Sequence, residues 1–490
     1  MGLKNNLLRR VFEPRLRAVD RFRRHPLEVQ RAMLRARLKE GERTAFGQER
    51  GLKEDWTPER FAKTIETFDY ERFRPYVERM LAGERNVAAA GRVTRYAQSS
   101  GTTSDRSKYI PVTTRSIFEN HTQGMRDVAA LYLAAHPRST LLDGKILTLG
   151  GTCRREGRNW VGDLSAILLH STSPWNRFTC TPPASVGLLP DFREKCEAIA
   201  RHCTKQDVRA FAGDPSWNLE LMRAVLDYTG RSNLLEVWPR MECFAHGGVS
   251  FAPYREAFRE LIPDEGMCYM ESYNASEGFF ALADDPMRDD MLLMLDYGTY
   301  YEFRRGEEIV PLEGVEVGKT YAMLITSNNG LWRYEIGDTV IFTSIHPYRI
   351  RFAGRTRQFI NVFGEELIVD NADRALTEVC RATGARVEEY TVAPRFMTLD
   401  RPGAHEWVVE FSREPIDREA FAEQLDGALR RINSDYDAKR RTTLERLVLH
   451  TLPAGSFLEW MQRFGKNKVP RMMNERRILE QVLGEVNKDL

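Results

Sequence analysis

The sequence predicts an α/β protein with a large N-terminal domain of β-sheets, a small barrel and surrounding helices, followed by a smaller, mobile α+β C-terminal domain. Three observations lead to this fold class. The chain has 490 residues, which is more than one compact core usually holds. Helical and strand-like segments alternate through its middle part, as is typical of α/β folds. The pattern changes near residue 353, so we place the two domains at 1–352 and 353–490.

Composition and charge exclude several classes of protein. The 72 basic and 70 acidic residues leave a net charge of +2, which gives no general attraction to nucleic acid or to an anionic membrane. No apolar run is long enough for a membrane-spanning helix. The seven cysteines form no Cys-x-x-Cys pair, so we expect buried thiols in a reducing compartment. We therefore expect a cytoplasmic protein with no nucleic-acid partner and no membrane insertion.

The N-terminal part is predicted to be helical and then to enter a nucleotide-binding element. Stretches of the first ninety residues, such as PLEVQRAMLRARLKEG, show apolar residues at helical spacing and end at glycine. VTRYAQ is a short strand that leads into QSSGTTSDRSKYIP. After it, Thr113 or Thr114 can cap a long helix that ends before Pro137. Strand, hydroxyl-rich loop, lysine and helix in this order are typical of a nucleotide-binding element.

The later segments complete the two predicted domains. Strands are predicted in KILTLGG, LLEVWP, MECFAHGG, CYMESYNASEG and AMLITSNNGLWRYEIGDTVIF, and helices in REKCEAIARHC and LELMRAVLDYTG. Apolar and charged residues alternate between Gly298 and Gly318, as in a meander or a small barrel. The C-terminal domain is predicted to contain a helix over 370–383, two strands in VEEYTVAP and EWVVEFS, and the helix DREAFAEQLDGALRRINSDY.

Several loops that follow strands carry residues suited to binding a nucleotide. The hydroxyl-rich loop lacks the Gly-Lys-Ser/Thr ending of a P-loop, yet Gly101 allows close backbone approach and Lys108 supplies positive charge. Taken alone, an ordinary loop is an equally good interpretation. Gly247-Gly248, Glu277 and Asp338 each lie at the end of a predicted strand. Since α/β sheets bind ligands at such ends, we expect these loops to gather at one edge.

Four ordered motifs resemble those of a known enzyme family. SSGTTSDRSKYIP, YNASEG, WRYEIGD and GSFLEWMQRFGKNKVPR are similar to the motifs of the acyl acid–amido synthetases, the auxin-responsive family of plants with bacterial relatives. That family lies within the luciferase-like acyl-adenylating superfamily. The resemblance implies an ATP-dependent ligase that forms a carbon–nitrogen bond. A carboxylic acid is activated as an acyl-adenylate with release of pyrophosphate, and the acyl group passes to the amine of an amino acid.

The resemblance also implies roles for individual residues. The residues expected at the β- and γ-phosphates of ATP are Ser99, Ser100, Gly101, Thr102, Thr103 and Lys108. Those expected at the adenine are Gly247, Gly248 and Tyr273. Asp338 is expected to accept the ribose hydroxyls, and Arg355 to lie at the hinge. Glu277 is expected to hold Mg²⁺, and Lys468 to reach the reacting centre from the C-terminal domain, so that Lys108, Glu277 and Lys468 form the catalytic set.

Some predictions leave alternatives open. The family has glycine where this chain has Asp105. That extra negative charge beside the phosphates motivates a second hypothesis, a non-catalytic ATP-binding regulatory protein, although Arg106 can compensate. A third is an acyl-CoA ligase of the same superfamily. Lys468 also has a plainer interpretation as part of a solvated basic face.

The acyl-acid pocket is expected between the 114–135 helix and the strands that lead to Gly248 and Glu277. Its candidate lining residues are Phe118, His121, Met125, Phe244 and Phe251. Because most of these side chains are apolar or aromatic, they predict a hydrophobic or aryl acid.

Overall fold

A computed structural model describes residues 3–99, 108–171, 179–248, 251, 254–355, 359–365, 367–398, 401–464 and 469–486. The chain divides into two units. The first comprises the described residues of Met1–Ser99, Lys108–Gly248 and Arg259–Thr356, and the second those of Val249–Phe258 and Arg357–Leu490. The roles predicted for the domains 1–352 and 353–490 stay predictions. None of the helices in the described ranges is long and apolar enough to cross a membrane.

Within the described residues, five helices precede the first strand, as the periodicity of the first ninety residues predicts. They are α1 (Leu3–Arg24), α2 (Pro26–Gly41), α3 (Ala45–Arg50), α4 (Pro58–Thr64) and α5 (Tyr70–Leu81). Side chains of Thr44, Thr57 and Asp69 accept hydrogen bonds from backbone N–H groups in the first turns of α3, α4 and α5. Such caps satisfy amide groups that a helix end leaves unpaired, so these helices begin where their capping residues stand.

The remaining helices of the first part of the chain include the predicted long helix after the hydroxyl-rich loop. They are α6 (Thr114–Ser116), α7 (Thr122–Ala135), α8 (Leu164–Ser171), α9 (Ala184–Gly187), α10 (Phe192–Cys203), α11 (Pro215–Thr229) and α12 (Arg255–Leu261). Thr113 caps α6 by accepting a hydrogen bond from the N–H of Ser116. The residues between α6 and α7, Ile117–His121, form a π-helical turn. The long helix is therefore confirmed, with this turn inserted in it.

Sixteen strands of the described chain form two sheets in the first unit. They are β1 (Arg95–Ser99), β2 (Lys108–Pro111), β3 (Lys145–Thr148), β4 (Cys153–Glu156), β5 (Asn159–Gly162), β6 (Cys180–Thr181), β7 (Val208–Gly213), β8 (Cys243–Gly247), β9 (Cys268–Ala275), β10 (Gly278–Leu282), β11 (Met291–Leu293), β12 (Thr299–Arg305), β13 (Glu308–Pro311), β14 (Thr320–Ser327), β15 (Tyr334–Ile345) and β16 (Tyr348–Arg355). The large sheet has the order β13-β12-β14-β15-β16-β11-β10-β9-β8-β7-β3-β6, and the small one β2-β1-β5-β4.

The large sheet changes direction along its width. Neighbours among β6, β3, β7, β8 and β9 run parallel, whereas those from β9 to β13 are antiparallel. The segment between Gly298 and Gly318 contributes the β12–β13 hairpin at one end of this sheet, which is the meander alternative. Buried aromatic rings fill the space between this region and the N-terminal helices, with Trp332 stacked on Phe46 at 5.3 Å.

Two local predictions are wrong. The stretch LLEVWP is not a strand, because Leu234–Glu236 forms a 3₁₀ turn capped by the Asn233 side chain. Asp338 does not end a strand, because β15 starts at Tyr334 and continues to Ile345. Asp338 therefore lies on the body of a long strand, paired in register with Arg355 of β16.

The second unit contains the predicted mixture of strands and helices. Its further elements are β17 (Phe359–Ile360), β18 (Leu367–Ile368), α13 (Val369–Thr383), β19 (Arg386–Arg395), β20 (Ala404–Arg413), α14 (Arg418–Ile432), α15 (Ser434–Arg440), β21 (Val448–Leu452), α16 (Ser456–Arg463) and α17 (Arg477–Val486). β19, β20 and β21 form one sheet, and β17 pairs with β18. Val408, Trp460 and Leu479 belong to the apolar core of this unit.

Candidate functional site

The carboxyl ends of four neighbouring parallel strands meet at one edge of the large sheet. β3, β7, β8 and β9 lie side by side, and β8 ends at Gly247. A Cβ atom at Gly247 would lie 2.4 Å from the carbonyl oxygen of Ser272, so only glycine fits there. Gly248 has a φ of +90°, which favours glycine too. Both predicted adenine glycines thus lie where α/β sheets bind ligands, and their role stays a prediction.

The hairpin between β9 and β10 places Glu277 at its tip. Ala275 pairs with Gly278, so Ser276 and Glu277 form the connecting turn. The Glu277 residue is only 9% exposed, and its carbonyl oxygen accepts a hydrogen bond of 2.8 Å from Nδ2 of Asn329. Asn329 lies in the turn between β14 and β15. Two hairpins therefore hold the backbone of the predicted metal-binding residue in place.

Two residues predicted for the nucleotide site are in direct contact. The Tyr273 hydroxyl donates a hydrogen bond of 2.7 Å to Oδ2 of Asp338, and both residues are buried. The ring of Phe352 lies 5.6 Å from the Tyr273 ring, at 61°, and 42% of Phe352 is exposed. Sequence reasoning missed Phe352, whose signal is an aromatic residue three positions before Arg355. An exposed ring beside buried Tyr273 and Asp338 is suited to contacting a flat ligand.

Lys108 and Glu277 each lie near a tyrosine, Tyr70 for Lys108 and Tyr334 for Glu277. The Lys108 ammonium is 5.8 Å from the centre of the Tyr70 ring, and the Tyr70 hydroxyl accepts a hydrogen bond of 2.8 Å from the N–H of Tyr109. Burial raises the pKa of Tyr334 well above its ordinary value, and the charges of Glu277 and the Tyr70 hydroxyl raise it further. Tyr334 is therefore a neutral phenol close enough to Glu277 to feel its charge.

The predicted phosphate loop starts and ends on paired strands. Ser99 ends β1, Lys108 begins β2, and these two residues are opposite each other in the antiparallel register. The residues predicted to wrap the phosphates, Ser100, Gly101, Thr102 and Thr103, together with Asp105, Arg106 and Lys468, lie outside the described residues. The roles of these residues, and of Arg355 at the hinge, stay predictions.

Sequence reasoning also missed Arg333, which precedes Tyr334. Arg333 has a φ of +40°, and its guanidinium donates two hydrogen bonds of 2.8 Å to the Glu302 carboxylate. It also donates to the carbonyl oxygens of Ala62, at 2.7 Å, and Ile65. The only sequence signal is a charged residue inside the aromatic motif WRY. Arg333 therefore joins helix α4 to Glu302 of β12. It directly precedes β15, the strand that carries Tyr334 and Asp338.

The acyl-pocket candidates that lie on the first unit do not share one surface. Phe244 stacks on Phe211 of β7 at 4.2 Å, on the face of the sheet opposite Cys243 and Cys268 because side chains alternate along a strand. His121 lies on the other face, where it interacts with Asn274 of β9.

Three further candidates complete the predicted pocket. Phe118 and Met125 are exposed on the long helix, and Phe251 belongs to the second unit, where its ring packs 5.7 Å from that of Phe258. Of the candidates on the first unit, His121 and Phe244 are buried, on opposite faces of the sheet, and the acyl-pocket role of the five residues stays a prediction.

Three family models match the chain in order. The GH3 family N-terminal domain matches residues 15–191 and 155–267, which together exceed half of the chain. The GH3 family central domain matches residues 292–355, and the GH3 family C-terminal domain matches residues 370–477. The three matches follow one another along the chain.

Curated proteins and solved structures give concordant matches. An indole-3-acetic acid-amido synthetase GH3.3 of Arabidopsis thaliana is 22% identical, over 95% of this chain and 92% of that protein. A jasmonoyl–L-amino acid synthetase GH3.5 of Oryza sativa subsp. japonica is also 22% identical, over 94% and 95%. The match to a probable indole-3-acetic acid-amido synthetase GH3.1 of Arabidopsis thaliana is 27% identical and spans 50% of this chain and 46% of that protein.

Two solved structures share the fold at low sequence identity. The GH3.15 acyl acid amido synthetase superposes with a TM-score of 0.59 at 18% identity, covering 94% of this chain and 93% of that one. A 2-hydroxyisobutyryl-CoA ligase superposes with a TM-score of 0.59 at 14% identity, covering 95% and 93%. The fold of this chain is therefore the one that both of these ligases adopt.

Proposed function

This chain belongs to the GH3 family, and from that membership we propose that it is an ATP-dependent acyl acid–amido synthetase. It activates a carboxylic acid as an acyl-adenylate and transfers the acyl group to the amino group of an amino acid. The observation that carries the proposal is the hydrogen bond between Tyr273 and Asp338, formed beside the hairpin that presents Glu277. Residues of two motifs that are distant in sequence, YNASEG and WRYEIGD, thus support one site on the first unit.

ATP binding is the first part of the proposal. The Asp338 carboxylate accepts hydrogen bonds from the ribose hydroxyls, and the Tyr273 hydroxyl keeps that carboxylate in a fixed orientation. Gly247 and Gly248 leave room for the adenine at the edge of the sheet. Lys108 and the hydroxyl-rich loop that precedes it hold the β- and γ-phosphates.

Mg²⁺ is the second part. No cluster of three potential metal ligands exists among the described residues, so a site built from protein side chains alone is not expected there. Mg²⁺ is commonly held by one or two carboxylates together with phosphate oxygens of the substrate. Glu277, on a backbone held by Asn329, fits such a site. Bound there, Mg²⁺ would reduce the repulsion between the acid and the α-phosphate.

The chemistry then follows in two displacements. A carboxylate oxygen of the acid attacks the α-phosphorus, and the bond to the departing pyrophosphate breaks. The amine nitrogen next attacks the acyl carbon, loses a proton, and AMP leaves. Both reactants of the first step are anions, so positive charge from Lys108, and from Lys468 of the C-terminal part, lowers the barrier.

The proposed compartment is the cytoplasm. All seven cysteines lie in described residues and none forms a disulfide, as is usual for proteins of a reducing compartment. ATP as a substrate agrees with this location.

Pyrophosphate release from ATP tests the proposal. Aryl, indolyl, aliphatic and fatty acids are each supplied alone, with pooled amino acids, and with coenzyme A. We expect turnover that needs an acid and increases with amino acids, together with an acyl–amino acid product in mass spectrometry. Glu277→Gln is the inactive variant, and Glu307→Gln, at an exposed turn position, is its matched control.

Other outcomes of this assay assign the chain differently. Turnover that needs coenzyme A would make it a thioester ligase, in agreement with the fold shared with 2-hydroxyisobutyryl-CoA ligase. ATP binding without turnover on any acid would favour the regulatory protein that Asp105 motivates.

A further inference from the structure

The π-helical turn Ile117–His121 is fixed firmly against the β10 strand. Asn120 donates through Nδ2 to the carbonyl oxygen of Tyr297 at 3.0 Å, and its Oδ1 accepts from the N–H of Phe279 at 2.6 Å. One turn further along, a Cβ atom at Gly124 would lie 2.5 Å from the Phe279 ring. Helix and strand therefore touch directly, and the position of residue 121 is set by these contacts. Turns of this kind occur frequently at functional sites.

His121 contrasts with its neighbour Asn120, whose side-chain amide forms hydrogen bonds through both its nitrogen and its oxygen. His121 is only 1% exposed, and neither of its ring nitrogens has a hydrogen-bond partner of good geometry among the described residues. The Asn274 side chain lies beside it, and the Asn274 Oδ1 is likewise buried without such a partner. Buried polar groups in native proteins are nearly always paired. The Asn274 side chain can pair with only one nitrogen of the imidazole, so the second nitrogen of this buried ring indicates a further polar group in contact with it.

The location connects this pair to the proposed reaction. Asn274 lies three residues before Glu277 and pairs with Phe279 across the hairpin. At about 3.3 Å per residue along a strand, Asn274 lies within about 10 Å of Glu277. If a small acid binds with its carboxylate near Glu277, the rest of the acid can extend over this distance towards Asn274.

We propose that His121 and Asn274 form a polar subsite that hydrogen-bonds a neutral hydroxyl group on the body of the acyl acid. This inference rests on the proposed function and names the substrate class, a hydroxylated acid. A neutral imidazole offers one donor and one acceptor, and the Asn274 oxygen offers an acceptor. When the Asn274 oxygen accepts from the imidazole N–H, a hydroxyl of the acid can donate to the second ring nitrogen and complete the pairing.

The imidazole of His121 is uncharged, and this bears on which group of the acid it binds. Burial lowers the pKa of His121 to about 4, so the ring is neutral in the physiological range. A neutral ring forms no ion pair with a carboxylate. The neutral ring is therefore better suited to an uncharged substituent of the acid than to its carboxylate.

Matched pairs of acids test the subsite. Each arylalkanoic or aliphatic acid is compared with its derivative that carries one hydroxyl, and kcat/KM is measured by acid-dependent pyrophosphate release. We expect at least one hydroxylated acid to exceed its parent by about tenfold or more. In His121→Phe this ratio should fall to near 1.

Two further variants and a spectroscopic readout complete the design. His121→Gln keeps a donor and an acceptor and should keep part of the preference. His202→Gln, at an exposed helix position, should keep all of it. In ¹⁵N spectra of the histidine side chains, the His121 signal should shift with the preferred hydroxylated acid and not with its parent.

The proposal is overturned by an unchanged ratio in His121→Phe, by no hydroxyl preference across the panel, or by an unshifted His121 signal. Each of these means that water fills the subsite. Failure of the proposed function is separate, since it appears as absence of acid-dependent pyrophosphate release in the wild-type enzyme. The ¹⁵N titration needs no turnover and still decides whether His121 contacts the acid.

Discussion

Replacing Arg333 by leucine should lower the stability of the first unit strongly. The side chains of Arg333 and Glu302 are 5% and 4% exposed, so the variant leaves a buried carboxylate without its cation. Two backbone carbonyls, of Ala62 and Ile65, lose a donor as well. Breaking a buried pair by removal of one partner costs about 3–5 kcal/mol in the free energy of unfolding.

The expected shift in melting temperature follows from the size of the unit. About 340 residues belong to it, and unfolding entropy near 2.1 cal/mol/K per residue gives about 0.7 kcal/mol/K. A loss of about 3–5 kcal/mol then lowers its Tm by about 4–7 °C. Differential scanning calorimetry at pH 7 measures this shift directly.

The pH dependence of the deficit identifies its cause. Burial raises the pKa of Glu302, with Arg333 acting in the opposite direction, so removal of the guanidinium raises that pKa further. A carboxyl with a raised folded-state pKa destabilises the fold at pH values above it. The penalty disappears below the unfolded-state value of about 4.3, where both states are protonated. The deficit of Arg333→Leu should therefore shrink as the pH falls towards about 4.

Two comparison variants make this reasoning refutable. Arg304 pairs with Glu335 at 2.7 Å in a more exposed position, so Arg304→Leu should cost less than about 1 kcal/mol. The double variant Arg333→Leu/Glu302→Leu should recover most of the lost stability, because no unpaired charge stays buried. A Tm loss in Arg333→Leu no larger than in Arg304→Leu, or a double variant no better than the single one, refutes the buried-pair argument.

Three further substitutions address the nucleotide site. Glu277→Gln should lower kcat for pyrophosphate release by about 10²-fold or more, because the site holds the proposed Mg²⁺ less well and loses the positive charge that stabilises the transition state, while binding of ATP measured by calorimetry changes less. Asp338→Asn should raise the KM for ATP by about 10-fold or more, since hydrogen bonds to a charged acceptor weaken; an unchanged KM would place the ribose elsewhere. Phe352→Ala should raise the KM for ATP by up to about tenfold. Its Tm should stay unaltered because the ring is 42% exposed. A lowered Tm with an unchanged KM would make Phe352 a purely structural residue.

The elements that sequence reasoning predicted well depend on local signals. Thr57 caps α4 and Asp69 caps α5, each by a side-chain hydrogen bond to an amide three residues on, and such signals are visible in the sequence itself. LLEVWP shows the limit of local signals, because a short apolar run is compatible with a strand or a helical turn. There, the Asn233 side chain accepts from the N–H groups of Leu235 and Glu236 and stabilises the turn.

The site could be predicted in its motifs but not in its contacts. Tyr273 and Asp338 were each identified by their motifs, whereas their hydrogen bond joins residues 65 positions apart on strands β9 and β15, which three other strands separate in the sheet. Phe244 and His121 were assigned to one pocket, and they lie on opposite faces of the sheet because strand register decides which face a side chain takes. Register is a property of the whole sheet, so one segment read alone does not contain it.

The N-terminal helices, to which sequence reasoning assigned no role, form part of the support of the site. Arg333 joins α4 to the strands, and the Trp332 Nε1–H donates to the carbonyl oxygen of Ala88 at 3.0 Å. Tyr70 of α5 receives the N–H of Tyr109, directly after Lys108. Because these contacts hold both the WRYEIGD segment and the strand that follows the hydroxyl-rich loop, the helices support the segments that carry the proposed site residues. They are therefore an integral layer of the ligase fold rather than an appended domain.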